Sequence, residues 1–374
     1  MSGPSQKNAR RNQASVAQLL LYLRIGCSTR NSQVRLTKSL NMTNTKLTPA
    51  AQMLSLFLSF WQGRAVATAT ELGVSDLLIN GPLPVDELAR RTKTNASALF
   101  RLLRALESIG IFTQVSPRVF GNSVTSECLR RDASDSVWSQ VVHGLSQGNF
   151  AYDGWNELRY ALTTEQSPAE KLYGCDYWEH LRRNPVAHAA TNGAMKTTSE
   201  AMTPAVTAAY AWGQFPVIAD IGGGIGTQLI SILNASLSSR GILFDQPHLR
   251  VESIPHDRVE IIGGNFFESV PAGADAYLLR WILHDWADEK AAKILSSLRR
   301  SMKPTARLIL VESVIPEGAS FDFGKWVDLQ MLLVGGRERT RMEYGELLSS
   351  NGFELREVIP TASPLSLLVA RLVE

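Results

Sequence analysis

Cysteine is scarce in this chain: Cys27, Cys128 and Cys175 are far apart in 374 residues, with no C-x-x-C. That excludes a disulfide framework and a cysteine zinc site, and it fits a reducing, cytoplasmic compartment. Long apolar runs are missing too. A membrane span needs roughly 20 such residues, and the nearest stretch, Val16 to Leu23, is too short. No internal repeat is visible. Acid is absent from residues 1–46, which hold eight Lys and Arg. Setting those eight aside leaves 30 basic residues against 35 acidic, a net of −5 behind the formal +3 of the whole. A mildly acidic body argues against a general nucleic-acid binder.

The first 46 residues are rich in Ser, Asn, Gln and Arg. This composition fits an organelle transit peptide, a disordered tail, or a start placed too early with Met42 as the true one. Patterning begins only after Leu47, which favours a tail or mis-start over targeting. From there 44% hydrophobic and 20% charged content is that of a soluble globular protein, and the length suggests two or three domains.

Between 47 and 136 the pattern is helical. Residues 50–69 make one amphipathic helix with Met53, Leu54, Leu56, Phe57, Leu58, Phe60 and Trp61 on its apolar face. A second helical stretch includes Val85–Arg91, a third runs over 96–110, and Ile111–Val115 with Val119–Phe120 reads as a hairpin. Helix, helix, helix, hairpin is a winged-helix pattern. Arg90, Arg91, Lys93, Arg101 and Arg104 would suit a DNA-reading helix, but Glu71, Asp76, Asp86, Glu87 and Glu107 dilute that face, which favours dimerisation. Residues 137–215 are helical and aromatic-rich, a candidate linker and pocket region.

Residues 216–374 alternate strand and helix around Pro216–Thr227. An apolar run ends in Asp220, four glycines follow within five residues, and a helix starts at Thr227. This is the first strand, tight turn and helix of a doubly wound sheet, with glycine where the turn is tight and a ligand approaches bare backbone. The dinucleotide pattern G-x-G-x-x-G/A fails: from Gly222 its third position is Thr227, and from Gly224 it is Leu229. The next strand ends in Asp245, where a ribose-binding acid belongs. Further strands fall at 259–263, 276–280, 307–312, 354–359 and 366–372. The turn Thr361–Pro364 is too short for a crossover helix, so the seventh strand runs antiparallel.

The fourth strand runs into Arg280-Trp-Ile-Leu-His-Asp-Trp-Ala-Asp-Glu289, placing His284 at the carboxyl edge where ligands bind. Strand five ends in Glu312 at the same edge, and Gly335-Gly-Arg-Glu-Arg339 sets Glu338 between glycines and arginines. One imidazole with two carboxylates able to orient it is a general-base arrangement.

These segments, with Phe244-Asp-Gln-Pro-His-Leu249 and Gly263-Gly-Asn-Phe-Phe267, resemble the S-adenosylmethionine-dependent O-methyltransferases of the caffeic-acid and hydroxyindole type, from about Leu54 to the end. The resemblance implies a Rossmann-like class I methyltransferase sheet, an N-terminal winged helix serving a homodimer, and S-adenosylmethionine as cofactor. It implies that Gly222, Gly224 and Gly226 approach the cofactor's methionine end, with Asp220 beside them and Ser199 toward the carboxylate. Asp245 would hold the ribose, Gly264, Asn265 and Phe266 the adenine, and Arg280 and Trp281 would flank the adenosine. His284 would be the base with Glu312 and Glu338 fixing its ring, and Met195, Asp285, Asp328 and Met331 would meet the acceptor. Two positions depart from the family: Asn265 replaces an acid, though its amide oxygen still accepts, and Thr191 replaces a common aromatic.

A phenol titrates near pH 10 and needs a base at neutral pH, whereas imidazole titrates at about 6.5. No metal is expected, and no carboxylate cluster is spaced to hold one. The alternatives are N-methylation or non-methylating chemistry on the same fold, which substitution at His284 would favour, and a winged-helix regulator, which predicts salt-dependent DNA binding.

Overall fold

The computed structural model describes residues 48–247 and 254–373. The expectations for residues 1–46, and the His248-Leu249 end of one family segment, lie outside the described residues. The chain divides into two compact units. Among the described residues, one comprises 48–153 with Leu181–Thr197, and the other Gly154–His180 with Thr198 onward. Residues 137–215 are therefore shared between the units.

In the N-terminal unit, helix α1 (Pro49–Glu71) starts where the Thr48 hydroxyl accepts the amide of Ala51 and Pro49 presets the first turn. Helix α2 (Val74–Leu77), strand β1 (Leu83–Pro84), helices α3 (Val85–Thr92) and α4 (Ala96–Glu107), and strands β2 (Thr113–Ser116) and β3 (Val119–Gly121) follow. Asn95 opens α4 by accepting the amides of Ser97 and Ala98. Leu99, Leu103 and Leu106, one face of α4, pack with Val85, Leu88, Phe112 and Phe120 into one core. β3 pairs antiparallel with both β1 and β2. The helical order with its terminal hairpin is as expected.

Two surfaces of this unit bear on the DNA-binding and dimerisation expectations. The apolar face of α1 forms, but Met53, Leu54, Leu56, Phe57, Leu58, Phe60 and Trp61 all stay exposed, Trp61 to 56%. A patch of that kind marks an interaction surface. On α3, Arg90 and Arg91 pair with Glu87 at 2.8 and 2.6 Å and hold its carboxyl down at about 2. One carboxylate thus pairs with two of the five basic residues of that face.

The second unit is built on β4 (Val217–Ile221), β5 (Arg240–Asp245), β6 (Val259–Gly263), β7 (Ala276–Arg280), β8 (Arg307–Ile315), β10 (Phe353–Pro360) and β11 (Leu365–Leu372), in the order β10-β11-β8-β7-β4-β5-β6. β11 is antiparallel to both its neighbours, as the short turn before it requires. A two-residue strand, β9 (Arg339–Thr340), pairs with the end of β8. Side chains alternate between two cores. Ala219, Ile221, Tyr277, Leu279, Leu308 and Leu310 face one side, and Ile218, Leu278, Ile309 and Val311 the other.

Helices cover both faces of the sheet. Helix α5 (Pro185–Ala208) begins in the N-terminal unit and ends in this one. Helix α6 (Thr227–Ala235) adds Leu229, Ile232 and Leu233 to one core, and α7 (Asp288–Ser301) adds Ile294, Leu295 and Leu298 to the other. Each such side chain contributes about 1.5–3 kcal/mol of burial. Helices α8 (Phe323–Val334) and α9 (Arg341–Ser350) flank β9 in sequence. Sheet order reverses at β4, so a ligand crevice belongs at the carboxyl ends of β4 and β7. Among the described residues no helix is long and apolar enough to cross a membrane.

Candidate active site

The loop after β4 separates structural glycines from one that faces open space. Gly222, Gly224 and Gly226 have φ of +74°, +57° and +90°. A Cβ on Gly222 would strike Ile282, one on Gly223 would sit 2.6 Å from Asp220 and Leu243, and one on Gly226 would lie 3.2 Å from Leu243. At Gly224 a Cβ would meet nothing described within 4 Å. The Gly222 amide donates to the Phe244 carbonyl at 2.7 Å, and the Gly224 amide donates to Asp245 Oδ2 at 2.8 Å. Asp245 thus ties the β5 end to the glycine loop.

Beside the loop, Asp220 is fully buried and neither carboxylate oxygen has a hydrogen-bond partner among the described residues. Burial pushes its carboxyl up to about 7, against the pull of Arg280. Burial also lowers Arg280, to about 10. That guanidinium donates to Thr203 Oγ1 and Gln228 Oε1, both at 2.8 Å, and to the Ser199 carbonyl at 3.0 Å. Ser199 therefore enters the cluster by its main-chain carbonyl. Trp281 takes a left-handed φ of 52°, and its ring lies nearly parallel to that of His284, 8° apart in plane and 6.2 Å between centroids.

Across the β5 and β6 ends, Gly264 packs so tightly on Phe244 that a Cβ would come within 2.5 Å of the ring. Asn265 Oδ1 accepts the Phe267 amide at 3.1 Å while its Nδ2 donates to Glu268 at 2.9 Å, so this side chain also shapes its own turn. Phe266 meets Phe267 edge-on at 4.8 Å and Trp286 at 6.4 Å.

His284 sits on a short 3-10 turn (Leu283–Asp285) just past β7 and is only 7% exposed. Its Nδ1 is 2.7 Å from Glu338 Oε1, and Nε2 is 3.4 Å from Asp285 Oδ1. Glu312 corrects the expectation in two ways. Its strand continues to Ile315, because β9 gives Val314 and Ile315 a partner. Its Oε1 accepts the amides of Ile282 and Leu283 at 3.2 and 3.0 Å, so among hydrogen bonds it fixes the turn that carries the ring, not the ring itself. The sequence also suggests no carboxylate cluster of metal-binding spacing, yet ligand atoms of His284, Glu312 and Glu338 lie within 4.8 Å of one another. The second oxygens of both glutamates are buried without a partner among the described residues.

These acids are costly to ionise. Burial pushes Glu312 and Asp285 up to about 7, each opposed by His284. Glu338 rises to about 8 through burial and then Asp328, opposed by Arg339. Asp328, a candidate substrate contact, accepts the Glu338 amide at 2.9 Å. Met331, another, accepts the Gly335 and Gly336 amides on its carbonyl, both at 2.8 Å. Both therefore shape the loop that delivers Glu338. Met195 lies on the part of α5 that belongs to the N-terminal unit, half-exposed.

Two residues escape the sequence reading. Gly336 lies against the backbone of His284 and Asp285. Arg339 is fully buried and donates to Asp288 Oδ1 from Nε and Nη2, to the Leu283 carbonyl and to the Trp286 carbonyl. Neither has a signal beyond the G-G-R-E-R string, where an arginine ordinarily reads as solvated.

Residues 155–354 match the O-methyltransferase domain family, and residues 54–132 match the O-methyltransferase dimerisation domain family. The phenazine O-methyltransferase PhzM of Lysobacter antibioticus is 38% identical over 328 residues, 85% of this chain and 95% of its own. The crystal structure of LaPhzM has a TM-score of 0.82 at 36% identity, covering 87% of this chain and 100% of that one. NcsB1 from neocarzinostatin biosynthesis, solved with S-adenosylmethionine and 2-hydroxy-5-methyl naphthoic acid, has a TM-score of 0.71 at 29% identity, with coverages of 83% and 96%.

Proposed function

The chain belongs to the O-methyltransferase family, and from that premise we propose that it methylates a hydroxyl of an aromatic or polyketide-like small molecule from S-adenosylmethionine, with His284 as general base. The reading rests on one observation: Nδ1 of His284 lies 2.7 Å from Glu338 Oε1, which leaves Nε2, 3.4 Å from Asp285 Oδ1, as the nitrogen to act. A neutral ring that donates from Nδ1 to Glu338 has its lone pair on Nε2. That nitrogen takes the hydroxyl proton, and Glu338 stabilises the imidazolium that results. Base catalysis of this kind contributes roughly 10²- to 10⁴-fold.

The residues present fit the cofactor. Gly224 offers bare backbone with open space before it, and Asp245 stands at its amide. Gly222, Gly224, Gly226 and Asp220 would border the methionine end, with Ser199 near its carboxylate. Asp245 would take the ribose, Gly264, Asn265 and Phe266 the adenine, and Arg280 and Trp281 the adenosine flank. When bound, the cofactor supplies a methyl group activated by a positively charged sulfur. Asp285, on the Nε2 side of His284, would meet the acceptor, and the family resemblance gives the same role to Met195, Asp328 and Met331.

Residues 47–136 would serve as a winged-helix dimerisation domain, residues 137–215 as the pocket region and 216–374 as the cofactor domain, in a cytoplasmic homodimer. The exposed face of α1 supports this, since an apolar face of that extent needs a partner.

The test is transfer of labelled methyl from S-adenosylmethionine to a panel of phenols, with wild type beside His284→Ala. Transfer to a hydroxyl that collapses in the variant is the expected result. Transfer that survives it would move the chemistry to an acceptor needing no base, such as an amine.

A further inference from the structure

The His284 turn is held from outside by a residue with no assigned role. Arg339 is 1% exposed, and its guanidinium works as a three-way clamp. Nε and Nη2 donate to Asp288 Oδ1 at 3.0 and 2.6 Å, Nη1 donates to the Leu283 carbonyl at 3.1 Å, and Nη2 donates to the Trp286 carbonyl at 2.9 Å. The acceptors lie on both sides of His284 in sequence, so the clamp closes around the segment that carries it. The clamp is itself anchored. Arg339 pairs with Val314 of β8, and Thr340 opens α9 through a reciprocal capping box with Glu343. The Arg337 amide also donates to the His284 carbonyl at 2.8 Å.

We propose that Arg339 is a positioning residue for methyl transfer, holding the Leu283–Asp288 segment so that the His284 ring stays on Glu338 with Nε2 aimed at the acceptor. The inference rests on His284 being the base. A rigid fork suits the task, because its nitrogens reach acceptors on three residues of that segment at once. A lysine ammonium offers one nitrogen and could not span Leu283, Trp286 and Asp288 together. A buried guanidinium carries a desolvation cost of several kcal/mol, and stability alone would be served as well by an apolar side chain. The charge has a second effect at the site: it opposes the burial that raises the Glu338 carboxyl.

The experiment compares Arg339→Lys, Asp288→Ala and His284→Ala with wild type, reading kcat and KM separately, cofactor affinity by calorimetry, Tm, and the downfield proton resonance of the His284 Nδ1–H to Glu338 bond. Arg339→Lys should lower kcat roughly 10- to 100-fold, the scale of a misplaced catalytic group. KM and cofactor affinity should stay within about twofold, and the resonance should broaden. Asp288 is largely exposed, so Asp288→Ala removes one jaw from the solvent side and should give the same pattern, smaller, with Tm near wild type. If Arg339→Lys does not fold, Asp288→Ala decides alone. Wild-type kcat with an unchanged resonance in Asp288→Ala or in folded Arg339→Lys would overturn the proposal. Activity surviving in His284→Ala would instead overturn the base assignment beneath it.

Discussion

Gly336→Ala should disable the enzyme without a conformational cost of its own. Gly336 is not among the glycines with positive φ, so alanine can adopt its backbone. The obstacle is steric. A Cβ there would sit 2.6 Å from the carbonyl carbon of Asp285, 2.9 Å from its Cα, and closer still to the His284 carbonyl oxygen. All three are main-chain atoms and cannot swing aside as a side chain can. Either the His284 turn or the Gly335–Glu338 loop must retreat by about 1 Å, and both ends of the His284–Glu338 bond are carried on those segments. A misplacement of that size costs roughly 100-fold in rate. The matched control is Gly345→Ala in α9, where a Cβ meets nothing described within 4 Å. A helical glycine replaced in open space should gain up to about 1 kcal/mol. Steady-state methyl transfer and thermal melts on both variants give the answer. A Gly336→Ala enzyme within twofold of wild-type kcat would refute the reasoning, because the close approach would then have no bearing on the site.

Stability should depend on pH in an unusual sense. Burial raises Asp220, Asp285 and Glu312 to about 7 and Glu338 to about 8. Carboxyls raised on folding stabilise the fold while protonated, fully below their unfolded values near 4 and less as pH climbs through 7 to 8. The Tm of the cofactor-free protein should fall between about pH 5 and 8.5, less steeply in Glu312→Gln; a Tm that rises across that range contradicts the assignment. Gly224→Ala should fold, bearing about 1–2 kcal/mol of left-handed strain, and raise the Kd for S-adenosylmethionine at least about tenfold; an unchanged Kd by calorimetry would remove the loop from the cofactor site. Replacing Phe57 and Trp61 together with Asp should yield a monomer by light scattering, and a dimeric mass would exclude the α1 face as the contact.

What the sequence shows of the site follows from what pattern can carry. Apolar runs ended by Asp220, Asp245 and Arg280 mark strands whose carboxyl ends converge, because a parallel sheet brings every such end to one edge. Glu338 is visible from its setting between glycines and arginines. The partner of Glu312 is not: its acceptor oxygen serves the amides of Ile282 and Leu283, some 30 residues earlier, and backbone donors leave no mark on residue type. Arg339 is hidden for a related reason. Two of its acceptors on the His284 segment are the main-chain carbonyls of Leu283 and Trp286, a third carbonyl is that of Arg337 two residues before it, and Asp288 lies 51 positions away, so a buried clamp spells the same string as a solvated charge. The apolar face of α1 is plain in the sequence, but periodicity states only that a face is apolar, not what covers it.

The charges around His284 are arranged for the state that follows proton transfer. An ionised carboxylate buried without a partner carries a penalty of several kcal/mol, and this edge of the sheet holds four acids that burial pushes up. Two of the four are opposed by fixed cations: Arg280 acts on Asp220, and Arg339 on Glu338. The other two, Asp285 and Glu312, are opposed chiefly by positive charge on His284. A neutral imidazole leaves those two carboxyls without a counter-charge. The imidazolium made by removing the acceptor's proton supplies one to both, while Glu338 already holds its Nδ1. Both ring nitrogens of His284 therefore face a carboxyl group, Glu338 at Nδ1 and Asp285 at Nε2. Groups held in place before proton transfer need no reorganisation during it, which is how a fixed site accelerates a reaction.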